Sequence, residues 1–171
     1  SAGWVTTFSE YTVVSENRVT SIEKDIPLDV AALMGCAVTT GFGIVFNDAK
    51  LKPGESIAVF GAGGIGQNVL QGAALVNAHP IVVIDLYDHK LEWASEMGAT
   101  HLLNGRRDDL LSHLMELSGG GGFDVTVDTT GNNEVREIAY NATNDQGRTI
   151  LAGVPQLNDT LSIDSFPLHH G

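Results

Sequence analysis

Ser56-Ile57-Ala58-Val59-Phe60-Gly61-Ala62-Gly63-Gly64-Ile65-Gly66 is the stretch whose reading decides the fold. An apolar segment runs into glycines at 61, 63 and 66, and a helical pattern follows. A second apolar segment, Ile81-Val82-Val83-Ile84, then ends on Asp85. Strand, glycine loop, helix, strand and acid in that order, with the acid about 20 residues beyond the loop, make the pattern of a dinucleotide site. Each residue type has a task there. Gly61 permits a tight turn out of the strand, Gly63 lets a pyrophosphate approach the backbone, and Gly66 lets the helix pack close to the sheet. The helix N-terminus offers free N–H groups and a partial positive charge to phosphates. Asp85 can accept hydrogen bonds from a ribose 2′-hydroxyl and would repel a 2′-phosphate, so the pattern favours NAD over NADP. A glycine loop alone is a weak sign, since purely structural turns and non-redox nucleoside-dependent enzymes such as methyltransferases use similar ones.

The 171 residues suffice for one full domain with a core and are short for two. The net charge of −12, from 9 basic and 21 acidic residues, argues against nucleic acid or an anionic membrane as partner. The single cysteine, Cys36, allows no intrachain disulfide and fits a reducing compartment. No apolar run reads as long enough to span a bilayer, and no signal pattern opens the chain, so a soluble cytoplasmic protein is expected.

From Ser56 onward strands and helices alternate. Strands are expected at Ser56–Phe60, Ile81–Leu86, His101–Leu103, Asp124–Asp128 and Arg148–Ala152. Between them helices are expected at Ile65–Asn77, Lys90–Met97 (stopped by Gly98), Asp108–Leu117 (ended by the run Gly119–Gly122) and Glu134–Asn141. Apolar strands separated by helices predict a parallel sheet covered on both faces. The ends depart from this pattern. Phe8–Val14 and Arg18–Ile22 read as two short strands, Leu28–Met34 and Val38–Asp48 as helices, and Thr160–Asp164 as a further strand. Five parallel strands and one irregular one, where six are usual, suggest a piece of something longer.

Several stretches carry a resemblance: Phe8-Ser9-Glu10-Tyr11-Thr12-Val13-Val14, Gly35-Cys36-Ala37-Val38-Thr39-Thr40-Gly41, the glycine loop, Asp85-Leu86-Tyr87-Asp88-His89-Lys90, Met97-Gly98-Ala99-Thr100 and Gly153-Val154-Pro155. Over nearly its whole length the chain is similar to the zinc-containing, medium-chain alcohol dehydrogenase family. It most resembles the branch with classical alcohol dehydrogenases and thiol-dependent formaldehyde dehydrogenases. The resemblance implies an α/β Rossmann fold, a doubly wound parallel sheet, preceded by short strands left from a truncated catalytic domain. Residues 1–37 would be the tail of that catalytic, GroES-like domain, and 38–171 an NAD-binding Rossmann domain lacking its last strand.

The resemblance also implies roles. Cys36 matches a ligand of the catalytic zinc, and Thr40 falls where the family contacts the nicotinamide. Gly61, Gly63, Gly64, Ile65 and Gly66 line the pyrophosphate, while Asp85 and Lys90 hold the adenosine ribose. Thr130 and Gly131 fall near the adenine pocket, and Ala152 and Val154 near the carboxamide. Leu161–Asp164 matches a segment that pairs with its twin across a dimer. In the intact enzyme, zinc would polarise an alcohol or aldehyde oxygen while hydride passes to or from the nicotinamide. The family's other zinc ligands, its proton relay and its structural zinc lobe come from an upstream domain not present here. No catalytic residue is therefore assigned, and the chain alone is expected to be inactive, a binding module for NAD.

Taken on their own, several of these residues have plainer readings. Cys36 reads as a small buried apolar thiol, since one thiolate cannot supply the three protein ligands of a catalytic zinc. His169-His170 would point to opposite faces of an extended segment, and His79, His89, His101 and His113 read as solvated. Lys90 sits in a helix's first turn, where a cation is slightly unfavourable, which supports a ligand role beside the plain solvated one. Asp128, at a strand's carboxyl end, is read equally as shaping the adenosine side or capping a turn. Nothing resembles a nucleophile elbow or other hydrolase motif.

Overall fold

A computed structural model describes residues 9–164. The chain divides between Met34 and Gly35 into two units, Ser1–Met34 and Gly35–Gly171. In the first, residues 9–27 contain one 3-10 turn, Glu16–Arg18, and no strand. The two expected strands are thus absent over 9–14 and 18–22, while Phe8 lies outside the described residues. Tyr11 and Val13 are 89% and 95% exposed, and an extended segment without a neighbouring ladder has no partner for its backbone N–H and C=O groups.

Leu28–Asp48 is helical throughout. It is α-helix over Leu28–Leu33 (α1) and Thr39–Gly43 (α2), with wider π turns at Met34–Val38 and Ile44–Asp48. The expected break near Gly35 does not occur, because the wider turns carry the backbone past it. At 21 residues this helix is long and apolar enough, by length and composition, to cross a membrane, which corrects the expectation that no such run exists. Core helices of globular proteins meet the same criterion. Here Gly41, Ile44 and Val45 are buried, while Leu28, Leu33, Met34 and Phe46 are exposed.

The second unit is built on five parallel strands in the order β3-β2-β1-β4-β5. They are Ile57–Phe60 (β1), Ile81–Asp85 (β2), His101–Asn104 (β3), Phe123–Asp128 (β4) and Thr143–Leu151 (β5). The crossovers are Gly64–Leu75 (α3), Asp88–Glu96 (α4), Leu110–Leu117 (α5) and Asn133–Asn141 (α6). All four residues of β1 are buried. Ile57 and Val59 enter a core with Val69, Leu70 and Ala73 of α3 and Leu91 and Ala94 of α4. Ala58 and Phe60 enter another with Leu110 and Leu114 of α5 and Ala139 of α6. Side chains alternate along a strand, so a sheet covered on both faces needs this continuous apolar sequence. Each fully buried Val, Leu, Ile or Phe contributes about 1.5–3 kcal/mol relative to an exposed one. Gly98, with φ +105°, ends α4: its N–H reaches Ser95 O, and the Ala99 N–H reaches Ala94 O at 3.0 Å.

Two elements differ from expectation near the chain's end. β5 begins five residues earlier than expected, because its pairing with β4 shifts: Phe123 faces Thr143, but Val125 faces Arg148. The intervening residues bulge out, and Asn144 Nδ2 donates to Asp124 Oδ1 at 2.9 Å. Thr160–Asp164 forms no strand. It is tied to α6 instead: Asn133 Nδ2 donates to Thr160 O at 2.8 Å and the Ser162 N–H to Glu137 Oε1 at 3.0 Å.

Candidate functional site

The sheet changes winding direction between β1 and β4, whose last residues, Phe60 and Asp128, are partners in register. Ligands of open α/β sheets bind outside the strands' carboxyl ends at such a switch point. The glycine loop leaves β1 at this place. Gly61 has φ +97°, and a Cβ there would stand 2.5 Å from Thr129 Oγ1. Thr129 Oγ1 donates to Phe60 O at 2.9 Å and lies 3.2 Å from Gly61 O. A Cβ on Gly66 would stand 1.9 Å from Gly61 O, so α3 approaches the loop only because residue 66 is glycine. On Gly64 it would meet Ala37 Cβ at 3.2 Å. Gly63 is different: a Cβ there would meet nothing within 4 Å, and its φ of −80° suits any residue. Neither packing nor backbone strain within the protein requires glycine at 63. Gly63 is also the N-cap of α3 and brings no side-chain acceptor, which leaves first-turn N–H groups uncapped. Ile65 follows in that turn and is half-buried.

Asp85 closes the site from β2. Its Oδ2 accepts the Ala62 N–H at 2.8 Å and its Oδ1 the Tyr87 N–H at 3.0 Å. Its side chain is 9% exposed, and Lys90 Nζ stands 4.0 Å from Oδ2. A carboxylate offers about four lone-pair sites, so these two bonds orient it and leave capacity for two further donors. Lys90 also lies 5.0 Å from the centroid of the Tyr87 ring. Gln67, which sequence reading overlooked, joins the two halves: its Nε2 donates to Lys90 O at 3.1 Å and Ala62 O at 3.3 Å. Its Oε1 is buried without a partner. A glutamine one place after the glycine motif carries no sequence signal of this role.

Beyond β4, Asp128 is fully buried. Its Oδ1 accepts the Thr130 N–H at 2.9 Å and hydroxyl at 2.6 Å, and its Oδ2 the Gly131 N–H at 3.1 Å. These three bonds cap the turn after β4. A Cβ on Gly131 (φ +73°) would stand 2.2 Å from Val154 O, and one on Gly153 2.0 Å from the Gly131 nitrogen. The Ala152 N–H donates to Asp128 O at 2.8 Å. Thr130, Gly131, Ala152 and Val154 are thus brought onto two abutting loops, with Val154 88% exposed. Asn132, also overlooked, caps α6 by accepting the Val135 N–H at 3.2 Å; asparagine two places before Glu134 was the available signal.

Cys36 and Thr40 lie on the helical run before the sheet. Cys36 is exposed, not the buried thiol of its plain reading. Among the described residues no group of three or more His, Cys, Asp or Glu could hold a metal ion. The described residues thus do not by themselves fit a catalytic zinc. Thr40 is half-buried. His79 and His89 are exposed, and His169 and His170 lie outside the described residues.

A family model described as zinc-binding dehydrogenase matches residues 64–171. The chain is 39% identical to an S-(hydroxymethyl)glutathione dehydrogenase of Saccharomyces cerevisiae, over 96% of this chain and 44% of that protein. It is 39% identical to an alcohol dehydrogenase class-3 of Cereibacter sphaeroides, over 96% and 46%. The crystal structure of benzyl alcohol dehydrogenase from Acinetobacter calcoaceticus matches with a TM-score of 0.91 at 30% identity, over 97% of this chain and 46% of that one. The chain therefore spans less than half the length of these relatives. Strand order, glycine loop and the β2 carboxylate define a Rossmann-type nucleotide domain. The chain belongs to the zinc-binding dehydrogenase family.

Proposed function

We propose that this chain is the NAD-holding part of a zinc-dependent alcohol dehydrogenase, which in its intact form moves hydride between an alcohol or aldehyde and NAD. The observation that carries the reading is Gly63. Its missing side chain answers no need of the protein's own packing, and a pyrophosphate lying against that backbone supplies the reason. The α3 N–H groups then receive the phosphates, and Asp85, oriented by Ala62 and Tyr87, receives the ribose hydroxyls. The loops at Thr130–Gly131 and Ala152–Val154, with Thr40, bound the rest of the cofactor. When bound, NAD supplies the hydride acceptor; the chain's share is to fix its position. In the whole protein Cys36 would be one zinc ligand among several from elsewhere. The substrate would be a small alcohol or aldehyde, and the intact enzyme a homo-oligomer.

The test is Gly63→Val, followed by NADH fluorescence. Because a Cβ at 63 meets no protein atom within 4 Å, the variant keeps its far-UV circular dichroism, at a modest loss of stability from the poorer N-cap, while losing NADH binding. Undiminished NADH binding by a folded Gly63→Val chain would overturn the reading.

A further inference from the structure

One cation, Lys90, stands beside Asp85 at the end of β2, and a second, Arg106, lies against the same neighbouring ring, Tyr87. Lys90 Nζ is 4.0 Å from Asp85 Oδ2 and 5.0 Å from the Tyr87 ring centroid. The Arg106 guanidinium carbon is 5.9 Å from the same centroid, so both are within cation–π range of one ring. Arg106 is held here by the end of β3. Its backbone N–H donates to Asn104 Oδ1 at 3.1 Å, and Asn104 is the register partner of Asp85. Asn104 Nδ2 in turn donates to Asp88 Oδ1 at 2.7 Å, which engages that carboxylate. Among the described residues no carboxylate lies within 4.0 Å of the Arg106 guanidinium. In a chain of net charge −12, the Arg106 guanidinium keeps its charge uncompensated by a carboxylate. It suits a phosphate monoester, which a guanidinium binds through paired N–H donors.

Resting on the NAD reading above, we propose that Tyr87, Lys90 and Arg106 form a phosphate-accepting corner. Through it the site takes a 2′-phosphorylated dinucleotide as a second, weaker cofactor. Asp85 opposes the phosphate and sets the preference for the unphosphorylated form; Arg106 determines how much of the phosphorylated form is tolerated. Lys90 already has the Asp85 charge to balance, so Arg106 carries the distinction.

The experiment is a pair of fluorescence titrations, NADPH and NADH, on the wild type, Arg106→Ala, Asp85→Asn and the double variant. The Arg106 side chain is exposed, so its removal leaves the fold intact. Arg106→Ala weakens NADPH binding at least about fivefold and NADH binding less than about twofold. Asp85→Asn strengthens NADPH binding, and adding Arg106→Ala removes that gain. Equal losses for both cofactors would overturn the proposal, as would NADPH binding indifferent to Arg106 or undetectable in both backgrounds. If NADH binds throughout, such a result removes only this proposal; failure of the wild type to bind NADH removes the cofactor reading beneath it.

Discussion

Asp85 accepts the Ala62 N–H through Oδ2 at 2.8 Å, which ties the end of β2 to the glycine loop at the end of β1. One carboxylate therefore shapes the glycine loop and, in the proposed function, reads the ribose. The two duties are separable by cofactor. Asp85→Ala is expected to weaken NADH binding roughly tenfold or more, since hydrogen bonds to a charged group contribute about 1.5–3 kcal/mol. NADPH binding should fall less, because the lost charge also repelled its phosphate. Equal losses, measured by parallel titration, would mean that Asp85 acts only on the loop.

The abutting loops after β4 and β5 make a stability prediction. A Cβ on Gly131 meets Val154 O at 2.2 Å with φ at +73°, whereas one on Gly121 meets nothing within 4 Å. Gly131→Ala should lower the melting temperature by about 2–8 °C, from about 1–2 kcal/mol of left-handed strain. Gly121→Ala should leave it nearly unchanged. Thermal melts of the two variants check this contrast.

Acid stability should depend on Asp124. Burial pushes its carboxyl up, but hydrogen bonds from the Ser56 N–H and hydroxyl and Asn144, with the Arg148 charge, outweigh it and hold the group below the ordinary carboxylate value. A carboxyl lowered in the folded state stabilises fully above its unfolded value of 3.8, and that stabilisation is lost as pH falls through the folded value. Asp124→Asn should therefore destabilise the chain at pH 7, with the gap from wild type narrowing below about pH 3.8. Urea denaturation at pH 7 and pH 3 measures it, and a constant gap would deny the linkage.

β5 is an edge strand of the described sheet, and unpaired edges seek other chains. Self-association of the purified chain is expected at high concentration. Light scattering that shows a monodisperse monomer would contradict it.

The sheet was legible in sequence because β1 and β2 at its centre are apolar on both faces, β4 carries Phe123, Val125 and Val127, and the helices between are punctuated by glycine or a cap. The ends were not. Tyr11 and Val13 have strand-like composition, but composition does not supply a partner, and pairing is a tertiary fact. The same holds for Thr160–Asp164, whose backbone bonds go to side chains of α6. At the site, Gly61, Gly63, Gly66 and Asp85 stood out because backbone geometry and spacing restrict them. Thr129, Gln67 and Arg106 did not, because a hydroxyl, an amide or a guanidinium gains its role only from what the fold sets beside it.

The most direct test of the central claim is a fluorescence titration of the purified chain with NADH, and NADPH in parallel. Saturable NADH binding with much weaker NADPH binding is expected. Absence of NADH binding by the folded chain, or tighter binding of NADPH, would contradict it.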